Sequence, residues 1–291
     1  MQIQSKEIIE NRHYDQERSL YNLTATKLVK CEFKSAEGES PLKEARDIVV
    51  ENCLFAMRYP LWHTKGLAMT GTIMEESTRA PLWYVKNGTI NNLTLHGTKA
   101  IRECHDIKIT DSKIVSDEFG WKSSKISVEN SQIQSEYLFL DSTHIDIKNI
   151  EMKGKYSFQY TKHVTIDKSH IDTKDAFWHC DDVVITDSVI TGEYFAWYSK
   201  HLTLINCKIS GSQPLCYCKN LKLIDCEMVG CDLAFEYSDV EADIKGRIDS
   251  IKNPKRGHIV VDSYGEVIHD NTAIPCKGKV ILRENNNHKA K

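Results

Sequence analysis

The chain has 291 residues, 27% of them charged, and a formal net charge of −3. That balance offers no basic stripe for nucleic acid, no segment reaches the length of a membrane-spanning helix, and the opening MQIQSKEIIENRHYDQERS lacks an apolar signal-peptide core. A cytoplasmic protein with no nucleic-acid and no membrane partner is the expectation.

In chain order, residues 1–25 are predicted to cap the fold, with a short helix over 14–22. From 26 to 239 a repeat takes over. Gly88, Ile107, Ile126, Ile145, Val164, Val183, Leu202, Leu221 and Val240 follow one another at intervals of 19 residues, and such a period defines a solenoid. With those residues as position 1, each unit is apolar at positions 1, 3 and 8 and small at 6, as in Ile107-Lys-Ile-Thr-Asp-Ser-Lys-Ile114. Alternation with period two predicts strands. Position 5 holds Asn52, Asn92, Asp111, Asn130, Asn149, Asp187, Asn206 and Asp225, a corner column able to hydrogen-bond from coil to coil. Gly154, Gly192, Gly211 and Gly230 recur at position 10, where a second corner needs unusual dihedrals.

Two corners and two or three short strands per repeat predict an all-β fold, a single-stranded right-handed parallel β-helix of roughly eleven coils. Residues 34–47, rich in Gly, Ser, Glu and Lys, are expected to loop out of the second coil. From 240 the repeat dissolves, and strands over 258–262 and 279–283 are predicted to finish and cap the solenoid within residues 240–291.

The sequence holds ten cysteines. Cys53, Cys207 and Cys226 fall at position 6, and Cys104, Cys180 and Cys218 at position 17, which reads as small inward residues in a reducing compartment. Cys216 and Cys218 form a Cys-x-Cys pair with no second ligand pair at metal spacing, so neither a metal nor a cofactor is expected.

Function is expected on the third strand, where Trp62, Trp83, Trp121, Trp178 and Trp197 share position 15. Strict alternation places positions 12, 14 and 16 on one face and 13, 15 and 17 on the other. Turning Glu103, Lys122, Asp141 and Glu236 of position 16 inward would bury unpaired charges. The Trp column is therefore predicted to be the interior stack, with Arg102 between the rings of Trp83 and Trp121.

The outward face then displays Phe139, Phe158 and Phe177 among the candidate ligand-binding residues Tyr137, Tyr156, Tyr160, Asp175, Tyr194, Tyr198 and Tyr217. Rings interleaved with charges suit an oligosaccharide, and equally a protein partner or a second copy of the chain. The candidate catalytic residues are Glu103, Lys122 and Asp141, one per coil, and His179. The outer carboxylates would stand roughly 9–10 Å apart, near the upper end of the inverting-glycosidase range, and His179 can titrate near neutrality. A solvated ladder stapling neighbouring coils accounts for the triad as well, and a surface His among tyrosines accounts for His179.

The segments Arg58-Tyr-Pro-Leu-Trp-His, Ala100-Ile-Arg-Glu-Cys, Phe119-Gly-Trp-Lys, Gly154-Lys-Tyr-Ser-Phe-Gln-Tyr, Asp175-Ala-Phe-Trp-His and Asp232-Leu-Ala-Phe-Glu-Tyr-Ser closely resemble the DUF3737 family. That family, a domain of unknown function, is grouped with pectin-lyase-like right-handed β-helices. The resemblance implies the same fold and, if the protein is an enzyme, a polysaccharide lyase or glycoside hydrolase-like activity on an outer strand face. The paired-Asp, Gly-His-Gly and Arg-x-Lys signatures of polygalacturonases are absent, so the resemblance supplies no mechanism. The expectation is binding or processing of a carbohydrate or glycoconjugate on the aromatic face. The alternative is a non-enzymatic interaction scaffold, self-associating into a homo-oligomer.

Overall fold

A computed structural model describes residues 3–272 and 274–284; the part of the expected C-terminal cap beyond 284 lies outside the described residues. The fold is an all-β, right-handed parallel solenoid of about 14 turns, more than the sequence suggested, because segments read as caps are themselves coils. It divides into two compact units, Met1–Ser157 and Phe158–Lys291.

In the first unit, strands such as His105–Thr110, Ser124–Glu129 and Thr143–Lys148 pair in parallel with a register of 19 residues, Ile107 against Ile126 and Ile126 against Ile145. Positions 1, 3 and 8 point inward, and Ile107, Ile109 and Ile114 are buried. Between first and second strands the chain turns at position 5 through left-handed residues, with φ near 50° at Asp111, Asn130 and Asn149. Asx residues tolerate that conformation, and their side chains form the expected ladder. Asn149 Nδ2 donates to Asn130 Oδ1 at 2.8 Å, and Asn130 Nδ2 to Asp111 Oδ1 at 3.4 Å. Position 6 is small because it runs a second, buried ladder: the Ser112 hydroxyl accepts from Leu93 N, and the Ser131 hydroxyl from Ser112 N.

Two expectations for this unit fail. Residues 14–22 are not helical; Glu7–Glu10 pairs with Thr26–Val29, and Arg18 N and Leu20 N donate to the Glu39 and Pro41 carbonyls of the coil above, so the segment is a coil of the solenoid. Residues 34–47 are not a loop either. Glu32–Glu39 pairs with Leu54–Arg58, taking up the extra residues as a register shift between Lys34 and Glu39, and Leu42 and Ala45 are fully buried.

The second unit repeats the scheme in Lys162–Asp167, Asp181–Thr186 and Lys200–Ile205, with Asn206 Nδ2 donating to Asp187 Oδ1 at 2.6 Å. Gly192 sits at φ 139°, where an added Cβ would lie 1.7 Å from the Thr173 carbonyl oxygen, so only glycine fits this corner. Beyond Val240 the pairing persists with a step of 17 residues, Val240 against Gly257. The strands lengthen to Asp239–Lys252 and Arg256–Ile268, and Lys279–Leu282 pairs with the latter. All ten cysteines are free and nine are buried. Burial pushes the thiols of Cys104 and Cys180 up to about 12.

The third side departs most from expectation. It is a run of turns, with only two-residue strands such as Ile101–Arg102 and Glu118–Phe119. In the coils from Tyr156 to Tyr217, positions 12, 14 and 16 take positive φ: 52°, 57° and 57° at Asp175, Phe177 and His179, then 58°, 62° and 60° at Tyr194, Ala196 and Tyr198. Alternating φ sign turns successive peptides along the solenoid axis, so coil-to-coil hydrogen bonding survives without a strand. His179 N donates upward to Trp197 O, while Ala196 N donates downward to Ala176 O.

Side-chain direction no longer alternates. Positions 13 and 14 both point inward: Phe139, Phe158 and Phe177 are fully buried, not displayed as predicted. The Trp column lies outside, partly exposed, contrary to the interior stack predicted from strict alternation. Volume is conserved by exchange between coils, as Ala176-Phe177 is followed by Phe195-Ala196 and all four are buried.

Candidate functional site

The outer third side of the second unit carries an aromatic ridge. Position 16 supplies Tyr160, His179, Tyr198 and Tyr217, stacked in succession at centroid distances of 5.0, 5.1 and 4.7 Å with interplanar angles of 10°, 9° and 12°. Strand-like coil spacing sets this pitch. The facing sides of these rings cover one another, so along the column it is mainly ring edges that meet solvent. Tyr160 remains 51% and Tyr198 42% exposed. Burial raises the Tyr217 phenol pKa, and the nearby Glu236 carboxylate raises it further; Lys252 pairs with Glu236 at 3.2 Å.

A second column lies alongside. Trp178 and Trp197 stack at 5.4 Å and 6°, and each indole N–H is fixed by a backbone carbonyl one coil above, Trp178 Nε1 to Tyr194 O at 2.8 Å and Trp197 Nε1 to Gln213 O at 2.7 Å. Gln159 makes the same contact, Nε2 to Asp175 O at 2.9 Å, which explains a polar residue in a Trp column. Tyr194 packs edge-on against Trp197 at 5.5 Å, beneath the Lys174 ammonium.

The structure thus brings Tyr160, His179, Tyr198 and Tyr217 into one ridge, with Tyr194 on its flank; the Asp175 backbone donates to the Glu193 carbonyl and accepts from Gln159 Nε2. Tyr137 and Tyr156 belong to the first unit, where they stack at 5.1 Å. Among the described residues no side-chain hydrogen bond orients His179; stacking alone holds it, whereas a general base works through an oriented nitrogen.

Glu103, Lys122 and Asp141 occupy successive coils of the first unit with φ near 52°. They do not form an ion-paired ladder. Glu103 is drawn to Arg102, with Nε at 3.7 Å, and hydrogen-bonds the Tyr84 phenol, raising its pKa. Among the described residues Lys122 and Asp141 have no ion-pair partner. Arg102 lies over Trp121 at 5.5 Å and pairs with Glu118 at 3.2 Å.

The sequence reading passed over a groove of about 630 Å³ on the first-strand face of the second unit. There His201 donates from Nδ1 to Asp181 at 2.7 Å and meets Asn220 Nδ2 at 3.1 Å through Nε2. The His201 contact lowers the Asp181 pKa. Arg256 grips Asp239 through two nitrogens, at 3.0 and 2.6 Å. The two columns preceding position 1, with Asp181, Asp182, Lys200, His201, Lys219 and Asn220, carry the signal that would have found it. Its polar groups largely satisfy one another. Among the described residues no group of three or more His, Cys, Asp or Glu is placed to hold a metal ion, and no helix is long and apolar enough to cross a membrane.

Fold and ridge together define a right-handed β-solenoid displaying a stacked aromatic face. The chain belongs to the DUF3737 family, described as a protein of unknown function, whose profile it matches over residues 7–281. No curated protein matches it in sequence. Among solved structures it is similar to the tailspike protein of E. coli bacteriophage HK620, in complex with pentasaccharide, at 7% identity and a TM-score of 0.43, covering 96% of this chain and 70% of that one. It is also similar to an exopolygalacturonase from Thermotoga maritima, at 8% identity and 0.36, with 94% and 83% covered. A third is PfbA, a surface adhesin of Streptococcus pneumoniae, at 10% and 0.34, with 91% and 85% covered.

Proposed function

We propose that the Tyr160–His179–Tyr198–Tyr217 ridge is a binding surface for an oligosaccharide, free or carried on a glycoconjugate, and that it acts by recognition without turnover. The observation that carries this reading is the constant 4.7–5.1 Å pitch of the four rings. A row of like polar edges is matched best by a ligand that is itself periodic, and hydroxyl-bearing sugar units along a chain meet phenol and imidazole edges one after another. No hydrogen bond among the described residues occupies the Tyr160 or Tyr198 phenols, so they are open to a ligand. A preformed stack also loses little side-chain entropy on binding. Buried free cysteines suit a reducing compartment, and we place the protein in the cytoplasm.

A second reading has a specific basis. Because stacking consumes the ring faces, a second copy of the same ridge is the other periodic surface that fits, and an exposed aromatic strip of this extent favours association. Thermal shift against an oligosaccharide panel, run beside light scattering, separates the two. Saturable stabilisation removed by Tyr160→Ala supports the first reading, and a concentration-dependent dimer abolished by the same substitution supports the second.

A further inference from the structure

The first unit holds an unneutralised column of cations that no role described so far uses. Arg46, Lys65 and Lys86 are aligned on neighbouring parallel strands, Arg46 against Lys65 and Lys65 against Lys86, one per coil at roughly 4.8 Å. Like charges directly opposite on adjacent strands are destabilising, so such a column is normally interleaved with carboxylates. Here, among the described residues, none of the three has an ion-pair partner.

The neighbouring acids Glu44, Asp47 and Glu103 do not pair with these cations. Glu44 holds His63 Nδ1 at 2.8 Å. Asp47 turns its carboxylate over Gly66, where an added Cβ would meet Oδ1 at 2.3 Å. Glu103 serves Arg102 and the Tyr84 phenol. The three cations line a concave corner of about 390 Å³ together with Glu44, His63, Thr64 and Tyr84; the His63 and Tyr84 rings are in edge contact at 5.0 Å, and the Glu44 carboxylate on this lining is held by His63. A concavity lined by three unpaired cations and one carboxylate that is already held by His63 favours negative charge.

We infer that this corner is a binding site for a multiply charged oxyanion, a ligand carrying two or three phosphate or carboxylate groups at about one per coil. Lys65 stands at its centre, with Arg46 and Lys86 as the outer contacts. The site lies in a different unit from the ridge and its test is independent of the ridge.

The test is calorimetric titration of the full chain with inorganic tripolyphosphate and, separately, with citrate, at low and physiological salt. Saturable binding that weakens as salt is raised is expected. Lys65→Gln is expected to lower affinity by roughly tenfold or more, whereas Lys113→Gln, an exposed lysine on the second strand, leaves it unchanged. Without ligand, Lys65→Gln is expected to raise the Tm, because it removes the middle of three like charges. Binding of tripolyphosphate alone assigns the site to phosphate groups, and binding of both ligands assigns it to oxyanions generally. Failure of both to bind at low salt, or equal weakening by Lys65→Gln and Lys113→Gln, would overturn the inference.

Discussion

His179 lies 5.1 Å from Tyr198 with 9° between their planes, and it holds that place through a backbone turned to φ 57°. The same left-handed turn at position 14 sends Phe177 to the interior two residues earlier. Display of the ridge and filling of the core are therefore two results of one backbone device.

Substitution at these two positions should separate their roles. Phe177→Ala is expected to cost about 3–5 kcal/mol of stability, the range for emptying a buried aromatic site, and His179→Ala about 1 kcal/mol, the scale of one stacking contact. Denaturant unfolding checks both. If Trp178→Ala were instead the costliest of the three, the Trp column would be the core after all.

Trp197 tests the outer column more finely. Trp197→Phe leaves a smaller aromatic ring and removes the Nε1 donor to the Gln213 carbonyl, and a loss of about 1 kcal/mol or more is expected. An unchanged unfolding midpoint would show that solvent satisfies that carbonyl equally well.

Gly192 tests the second corner. Its φ of 139° and the 1.7 Å approach of a Cβ to the Thr173 carbonyl predict that Gly192→Ala destabilises by about 3 kcal/mol. Gly230, with open space around an added Cβ, should give a much milder Ala variant, in which only the left-handed φ of 66° is penalised. Equal costs at the two sites would mean that dihedral preference, and not contact with the coil below, requires glycine.

Acid should weaken the second unit through Asp239. Arg256 holds this carboxylate below its ordinary value of 3.8, so its stabilisation is fully present above that value and is lost as pH falls through the lower folded value. Wild type should lose stability steeply below about pH 4. Asp239→Asn should start lower at neutral pH and show a shallower acid limb. Parallel profiles would remove Asp239 from the acid response.

Much of the architecture was legible because a column of like residues reports a shared environment. The Asn130 and Asn149 ladder, the Gly192 corner and the buried Cys104 and Cys180 followed from position alone. The third side was misread because strict alternation was assumed where the backbone alternates between right- and left-handed turns. Clues to this were present in the sequence. Pro60 and Pro81 stand at position 13, where a strand ladder would need their missing N–H, and adjacent apolar pairs such as Ala100-Ile101 and Phe195-Ala196 do not fit a two-residue period. The charge argument that turned position 16 outward held, and so the ridge tyrosines were found although their neighbours were placed on the wrong face. The corner of Arg46, Lys65 and Lys86 was invisible for another reason: three basic residues 19 and 21 positions apart look solvated until the register aligns them.

The most direct test of the ridge is the length dependence of oligosaccharide binding. A series from monosaccharide to hexasaccharide, neutral and acidic, would be titrated into the full chain and into Tyr198→Ala, with intrinsic fluorescence as the readout. A periodic site predicts affinity that rises with chain length until about four units span Tyr160 to Tyr217 at one unit per coil, and a loss of that rise in Tyr198→Ala. Binding that is absent across the series, or that ignores both ligand length and the loss of Tyr198, would contradict a carbohydrate-reading ridge.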